Sequence, residues 1–196
     1  MYHIHHTDAF VIKVATVKEA NATFLIFTRE LGMLWASAQS VRRTDSKLRG
    51  HLREFSFSHI SLVRGKDTWR ITGAEQMVNF YDCFFTNKDA LFVCARIFGL
   101  LRRLLYGEEK NERLFSVLEE TFNFIKESAL SRSRLLNVET IAVLRILHCL
   151  GYIGDSKEIG GFVESPFFSE EVVSQMAGVR KTALGEINRA LRESHL

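Results

Sequence analysis

At 196 residues, with 46% apolar and 25% charged side chains, the chain has the make-up of a globular protein with one large or two small cores. Its single proline speaks against a disordered arm. No run of about 18 apolar residues occurs, which excludes a membrane-spanning helix, and the N-terminus lacks the charged-then-apolar pattern of a secretory leader. Net charge is only +3, but residues 1–76 hold 11 Lys and Arg against 7 Asp and Glu, while residues 77–196 hold 15 against 16, so the positive excess lies in the first part.

The first part has the period of β-structure. Residues 9–17 alternate Phe10, Ile12 and Val14 against their neighbours, and a polar connection follows at 18–21. Residues 22–28 carry apolar side chains on both faces (Phe24 and Ile26, Leu25 and Phe27), as a strand covered on both sides would. A turn at 29–32 leads into a strand at 33–39, whose Leu34, Ala36 and Ala38 suit a tight barrel interior. Trp35 alternates away from them, a position from which it can stack on a base or pack against a second domain. In residues 52–63 the apolar phase switches between Phe57 and Ile60, which requires a bulge or bend near Ser58 and His59. A turn at 64–67 and a strand at 68–74, with Trp69 and Ile71 facing the core, complete five strands without a helix long enough for a βαβ crossover. The expected fold is therefore α+β: a five-stranded OB-type barrel over residues 1–76, followed by an all-α domain over residues 77–196.

From Gln76 the period becomes helical. Helices are expected at 76–85, at 88–106 with Asn87 as cap, at 113–130, and at 138–150 with Asn137 as cap. The 88–106 helix carries an apolar stripe of Leu91, Ala95, Phe98, Leu101 and Leu105, with Arg102 and Arg103 near its C-terminal end, where cations suit the helix dipole. An irregular stretch at 151–168 precedes a short helix starting at Ser169 and a last one at 181–193.

Enzymatic and metal chemistry find little footing. Phosphate-loop, dinucleotide and serine-hydrolase motifs are missing from the sequence. Cys83, Cys94 and Cys149 are widely spaced with no CxxC pair, which fits buried thiols in a reducing cytoplasm and neither a disulfide framework nor zinc. His3, His5 and His6 with Asp8 read as a solvated tip, and the side chains of His148 and Cys149, adjacent on a helix, diverge. No cofactor and no catalytic residue are expected.

The loop from Ser40 to His51 concentrates Arg42, Arg43, Lys47 and Arg49 against one acid, Asp45, among turn formers and without apolar periodicity. Such a cluster between strands points to a surface that meets phosphate, with a solvated hairpin as the bland alternative. Arg29, Arg53, Arg64 and Lys66, at turns or strand ends, widen the patch. Two other classes stay open. One is a protein-interaction module whose basic groove takes an acidic peptide tail without DNA. The other is a hydrolase through His51 and His59, for which only two scattered histidines speak.

The sequence also resembles the bacterial RecO family of recombination mediators. The likeness is carried by Phe27-Thr28, Glu30 to Gly32, Ala38 to Arg43, Ser46 to Leu48, and Leu52 to Phe55. It continues through Arg64-Gly65 and Ala74-Glu75, then Arg113-Leu114-Phe115, Leu150-Gly151-Tyr152 and the C-terminal NRALRESHL. Two departures stand out: Ser40 replaces the glycine usual after the third strand, and residues 153–168 hold no cysteine where many members carry a four-cysteine zinc module. The resemblance implies an OB-fold joined to a helical domain with a shortened, zinc-free insertion. It implies non-enzymatic binding and annealing of single- and double-stranded DNA, and help in loading recombinase with RecR. It also implies a site on the helical part for the acidic, aromatic-ended tail of the single-strand-binding protein, for which Arg102, Arg103, Arg132 and Arg134 are candidates.

Overall fold

A computed structural model describes residues 3–16, 21–41, 43–44, 46–66, 68–154 and 158–194. The chain forms two compact units, Met1–Thr86 with Leu105–Asn111, and Asn87–Leu104 with Glu112–Leu196.

The first unit is a closed barrel of β1 (Ile4–Thr16), β2 (Ala22–Thr28), β3 (Gly32–Ala38), β4 (Ser56–Arg64) and β5 (Trp69–Asn79), in the order β1-β2-β3-β5-β4 and back to β1. Every pairing is antiparallel except β3 with β5, the arrangement of an OB-fold. Closure depends on β1, which pairs through Ile4–Phe10 with β4 and through Ala9–Thr16 with β2, and bends at an irregularity between Val11 and Lys13. The strand begins before the expected residue 9. His6 and Asp8 face outward while Thr7 and Ala9 are buried, so its first half lacks the apolar alternation that reveals a strand.

Phe24, Ile26, Leu34, Ala36, Ala38, Ile60, Leu62, Trp69 and Ile71 fill the interior. Outside it, Phe10 packs on Phe57 (ring centroids 4.9 Å apart) and on Phe80 (6.4 Å) of α1 (Phe80–Phe84). Phe27 is buried as well, so β2 is covered on both faces as its sequence requires. The expected bend in β4 is a register shift between Phe57 and Ser58, with a second between Ser61 and Leu62. Just before it Phe55 takes a positive φ of 64°. Its amide donates to Val11 and its carbonyl accepts from Phe80, tying three elements at one residue. These irregularities let β5 run on to Asn79, opposite Ser56, so the helix expected from Gln76 starts at Phe80 and the barrel passes the boundary at residue 76. Asn79 caps that helix by accepting from the Asp82 amide at 3.1 Å.

The second unit holds α2 (Lys88–Leu104), α3 (Glu112–Glu127), α4 (Arg132–Cys149), a single turn α5 (Gly160–Val163) and α6 (Glu170–Glu193). Asn87 caps α2 as expected, accepting from Ala90 at 3.1 Å. The buried stripe of α2, however, is Ala90, Val93, Cys94, Ile97, Phe98, Leu101 and Leu104, turned from the expected one. Asn137 is no cap. It is buried inside α4, which starts at Arg132, and donates to the Val173 carbonyl at 3.0 Å. The two C-terminal helices expected are one helix of 24 residues, begun by Ser169 accepting from Val172.

Arg145 on α4 is 1% exposed. Its guanidinium donates to the carbonyls of Phe162 (2.8 Å), Pro166 (2.7 Å) and Phe167 (2.9 Å) and lies 4.3 Å from the Phe168 ring. Burial lowers its pKa to about 10, which leaves it charged at neutral pH with all five N–H donors. Arg113 adds a bond to Val163 at 3.0 Å, so two cations give the irregular connection between α4 and α6 its shape.

Candidate nucleic-acid interface

The basic loop between β3 and β4 is a chain of tight turns. The amides of Arg43, Ser46, Arg49 and His51 donate in succession to the carbonyls of Ser40, Arg43, Ser46 and Leu48 at 3.1–3.2 Å. Beneath the turns, Val41 and Leu52 belong to the barrel core, and Leu48 packs against it. These three side chains fasten the loop over one end of the barrel, an arrangement hidden in the sequence because they stand isolated among turn formers. Ser40, where the resemblance leads one to expect glycine, takes a left-handed φ of 54°, and its amide donates to Asn21 Oδ1 at 2.9 Å.

Held this way, Arg43, Lys47 and Arg49 are exposed; Arg42 and Asp45 lie outside the described residues. Arg49 rims an open cleft of about 400 Å³ lined by Val14, Ala22, Phe24, Val41 and Leu52. Lys47 and Arg49 have no ion pair among the described residues.

The wider set of cations is placed differently. Arg53 makes a two-pronged pair with Asp82 (2.6 and 3.0 Å), and Arg29 lies 3.6 Å from Asp8. Arg64 pairs with Glu108 and stacks 5.0 Å from the centre of the Trp69 ring. Lys66 is exposed, and Trp35 is 45% exposed on the outer side of β3. His51 and His59 have local partners: the His51 ring accepts from the Gln76 amide at 3.3 Å, and His59 bonds Asp8 at 2.9 Å.

In the helical unit a groove of about 580 Å³ runs between α2, α4 and α6. Leu100, Val143, Leu184, Ile187 and Leu191 give it an apolar lining, and Arg96, Arg102, Arg103 and Arg180 edge it. Arg102 and Arg103 from the sequence-derived set belong to it. Arg132 and Arg134 do not line it: the first lies 3.7 Å from Asp89 and the second pairs with Glu170. Arg96 and Arg180 were missed. Arg96 lies two helical turns before Arg103 on one face of α2, a signal available in the sequence, whereas Arg180 fell just outside the last helix expected.

Residues 1–80 match the family model described as recombination protein O, N terminal. The chain is 32% identical over 124 residues (62% of this chain, 49% of the relative) to a DNA repair protein RecO of Dehalococcoides mccartyi strain 195, and 37% identical over 124 residues (62% and 49%) to that of strain CBDB1. It is 27% identical over 130 residues (66% and 52%) to the DNA repair protein RecO of Alkaliphilus metalliredigens. The chain thus spans about half the length of the curated relatives it matches. Over its N-terminal barrel, the chain is thus similar to the DNA repair proteins RecO.

Proposed function

We propose that this chain is a non-enzymatic recombination mediator of DNA repair, which binds single- and double-stranded DNA through the loop between β3 and β4, anneals strands and helps load recombinase. The observation that carries this reading is a chain of turns pinned by Val41, Leu48 and Leu52 to the end of an OB barrel, with Arg43, Lys47 and Arg49 presented outward. Cations anchored on a rigid support meet phosphates with little ordering cost. Arg42 shares the loop in sequence, and Lys66 extends the path. Arg29, Arg53 and Arg64 join only by exchanging a carboxylate for a phosphate. The protein acts in the cytoplasm at the nucleoid, with RecR among its partners.

A salt titration tests the reading. With Arg42, Arg43, Lys47 and Arg49 each neutralising one phosphate, log K against log salt has a slope of about −3 on single strands and about −3.6 on duplex. Arg43→Ala weakens binding to all sequences alike and flattens that slope by roughly 0.7–0.9. An unaltered slope places the DNA path elsewhere.

A second ligand is favoured by the groove of the helical unit. Apolar side chains edged by four arginines fit an acidic peptide with a large apolar end, which is the chemistry of the single-strand-binding protein's tail. Loss of peptide binding in Arg102→Ala/Arg103→Ala supports this assignment, and undiminished binding removes it. A barrel that bound the peptide but no oligonucleotide at low salt would leave the chain a protein-interaction module.

A further inference from the structure

We infer that Glu139 is a charge competitor built into the wall of the α2–α4–α6 groove: by holding Arg96 in a preformed ion pair, it sets how acidic a ligand must be to bind. The inference rests on the groove being a peptide site. Four cations line the groove, but Glu139 is the only carboxylate among its described lining residues. Arg96 grips it with both prongs, Nη2 to Oε2 at 2.7 Å and Nε to Oε1. The pair is asymmetric in exposure: the Arg96 side chain is 54% exposed and that of Glu139 only 17%.

That asymmetry decides what an incoming carboxylate can do. Taking Arg96 for itself would strand a mostly buried Glu139 without its cation, which is costly. The ligand's acids therefore go to Arg102, Arg103 and Arg180, of which the first two have no ion pair among the described residues. The closest of those acids is repelled by Glu139, incompletely screened by Arg96. A weakly acidic peptide gains too little from three cations to offset that repulsion, whereas one with several adjacent acids does. The pair thus serves as a filter for charge density, a specificity device working through repulsion.

The test is anisotropy of the full chain with a labelled synthetic peptide, a run of Asp ending in Phe, at low and at high salt. Glu139→Gln keeps a hydrogen bond to Arg96 but removes the charge, and is expected to tighten binding about 5–10-fold at low salt, with the gain shrinking as salt rises. Arg96→Ala uncovers Glu139 and weakens binding by a similar factor. The double variant, which removes one charge of each sign, returns close to wild type, the additive outcome for two opposite charges acting on one ligand. Melting curves confirm that each variant folds, and Glu139→Ala serves if Glu139→Gln does not. Unchanged or weakened binding in Glu139→Gln overturns the inference, and weakening would make the pair a positioning device for Arg96. Loss of binding in Arg102→Ala/Arg103→Ala alongside a neutral Glu139→Gln sinks the competitor alone. Insensitivity to all of these variants sinks the groove reading with it.

Discussion

Two long connections in this protein, one in each unit, use arginine in opposite ways. The loop between β3 and β4 is fastened from below by apolar side chains, Val41, Leu48 and Leu52, and carries Arg43, Lys47 and Arg49 exposed. The connection between α4 and α6 is fastened by a cation, Arg145, buried to 1% and shared among three backbone carbonyls. In the first case apolar side chains secure the backbone, and Arg43, Lys47 and Arg49 stand exposed on it. In the second the arginine is the fold. A guanidinium is therefore a functional candidate only where something else secures the backbone that carries it.

The sharpest way to break this comparison is to remove the buried cation. Arg145→Met keeps much of the volume but leaves the carbonyls of Phe162, Pro166 and Phe167 without their donor, the first of them buried. The expected loss is about 3–5 kcal/mol, read as a lower denaturation midpoint. Arg49→Ala, on the exposed side of the comparison, is expected to change stability by less than about 0.5 kcal/mol while weakening DNA binding. Equal destabilisation by the two substitutions would end the distinction.

Next in size is an apolar anchor. Leu52 is 6% exposed and joins the barrel core, so Leu52→Ala costs about 2–3 kcal/mol through lost burial and the cavity left behind. It also loosens the turns that present Lys47 and Arg49. On the proposed DNA-binding reading, affinity is therefore expected to fall although no charge is touched, with the salt slope near the wild-type value. A flattened slope would show that the anchor had been holding specific phosphate contacts in register.

Ser40→Gly acts in the other direction. The left-handed φ of 54° costs a serine about 1 kcal/mol or more, against which glycine sets its larger entropy in the unfolded chain. A net gain of about 0.5–1 kcal/mol is expected in thermal or chemical melts, because the bond to Asn21 comes from the backbone amide and survives the change. No gain would mean that the Ser40 side chain stabilises the loop as much as its backbone strains it.

These residues also show what the sequence could disclose. The barrel was legible wherever apolar side chains alternate, as in Phe24 and Ile26 or Leu34 and Ala36, because a pleated strand sorts its faces by that period. The first half of β1 was not, since His6 and Asp8 meet solvent and only the ladder to β4 makes that stretch a strand. Asn137 looked like a cap because asparagine usually serves there, yet its amide is consumed by a tertiary bond to Val173. The basic loop could be located from charge, but its footing could not: Val41, Leu48 and Leu52 share a side only because the barrel end beneath them does. The groove lay half in view through Arg102 and Arg103, and its third wall needed the continuity of α6, which Gly178 and Gly185 obscure.

The smallest expected effect is a local one, and it reports on each unit separately. Cys83 is exposed on α1 beside the barrel, whereas Cys94 and Cys149 belong to the helical unit. Burial pushes the Cys94 thiol well above its ordinary pKa. It also raises Cys149, against a smaller opposing pull from Arg113 and Arg145. Alkylation at mildly alkaline pH should thus modify Cys83 quickly, Cys149 slowly, and Cys94 only when the helical unit opens. Arg145→Met is expected to speed the labelling of Cys94 and leave Cys83 unchanged, while Leu52→Ala leaves the Cys94 rate where it was. The pH dependence has a defined sign. A thiol raised in the folded state stays protonated where the unfolded one has begun to ionise, so its contribution to stability is whole below about pH 9 and is lost as pH rises further. Faster labelling of Cys94 in Leu52→Ala would mean that the two units open together and that the anchors of the basic loop hold more than the barrel.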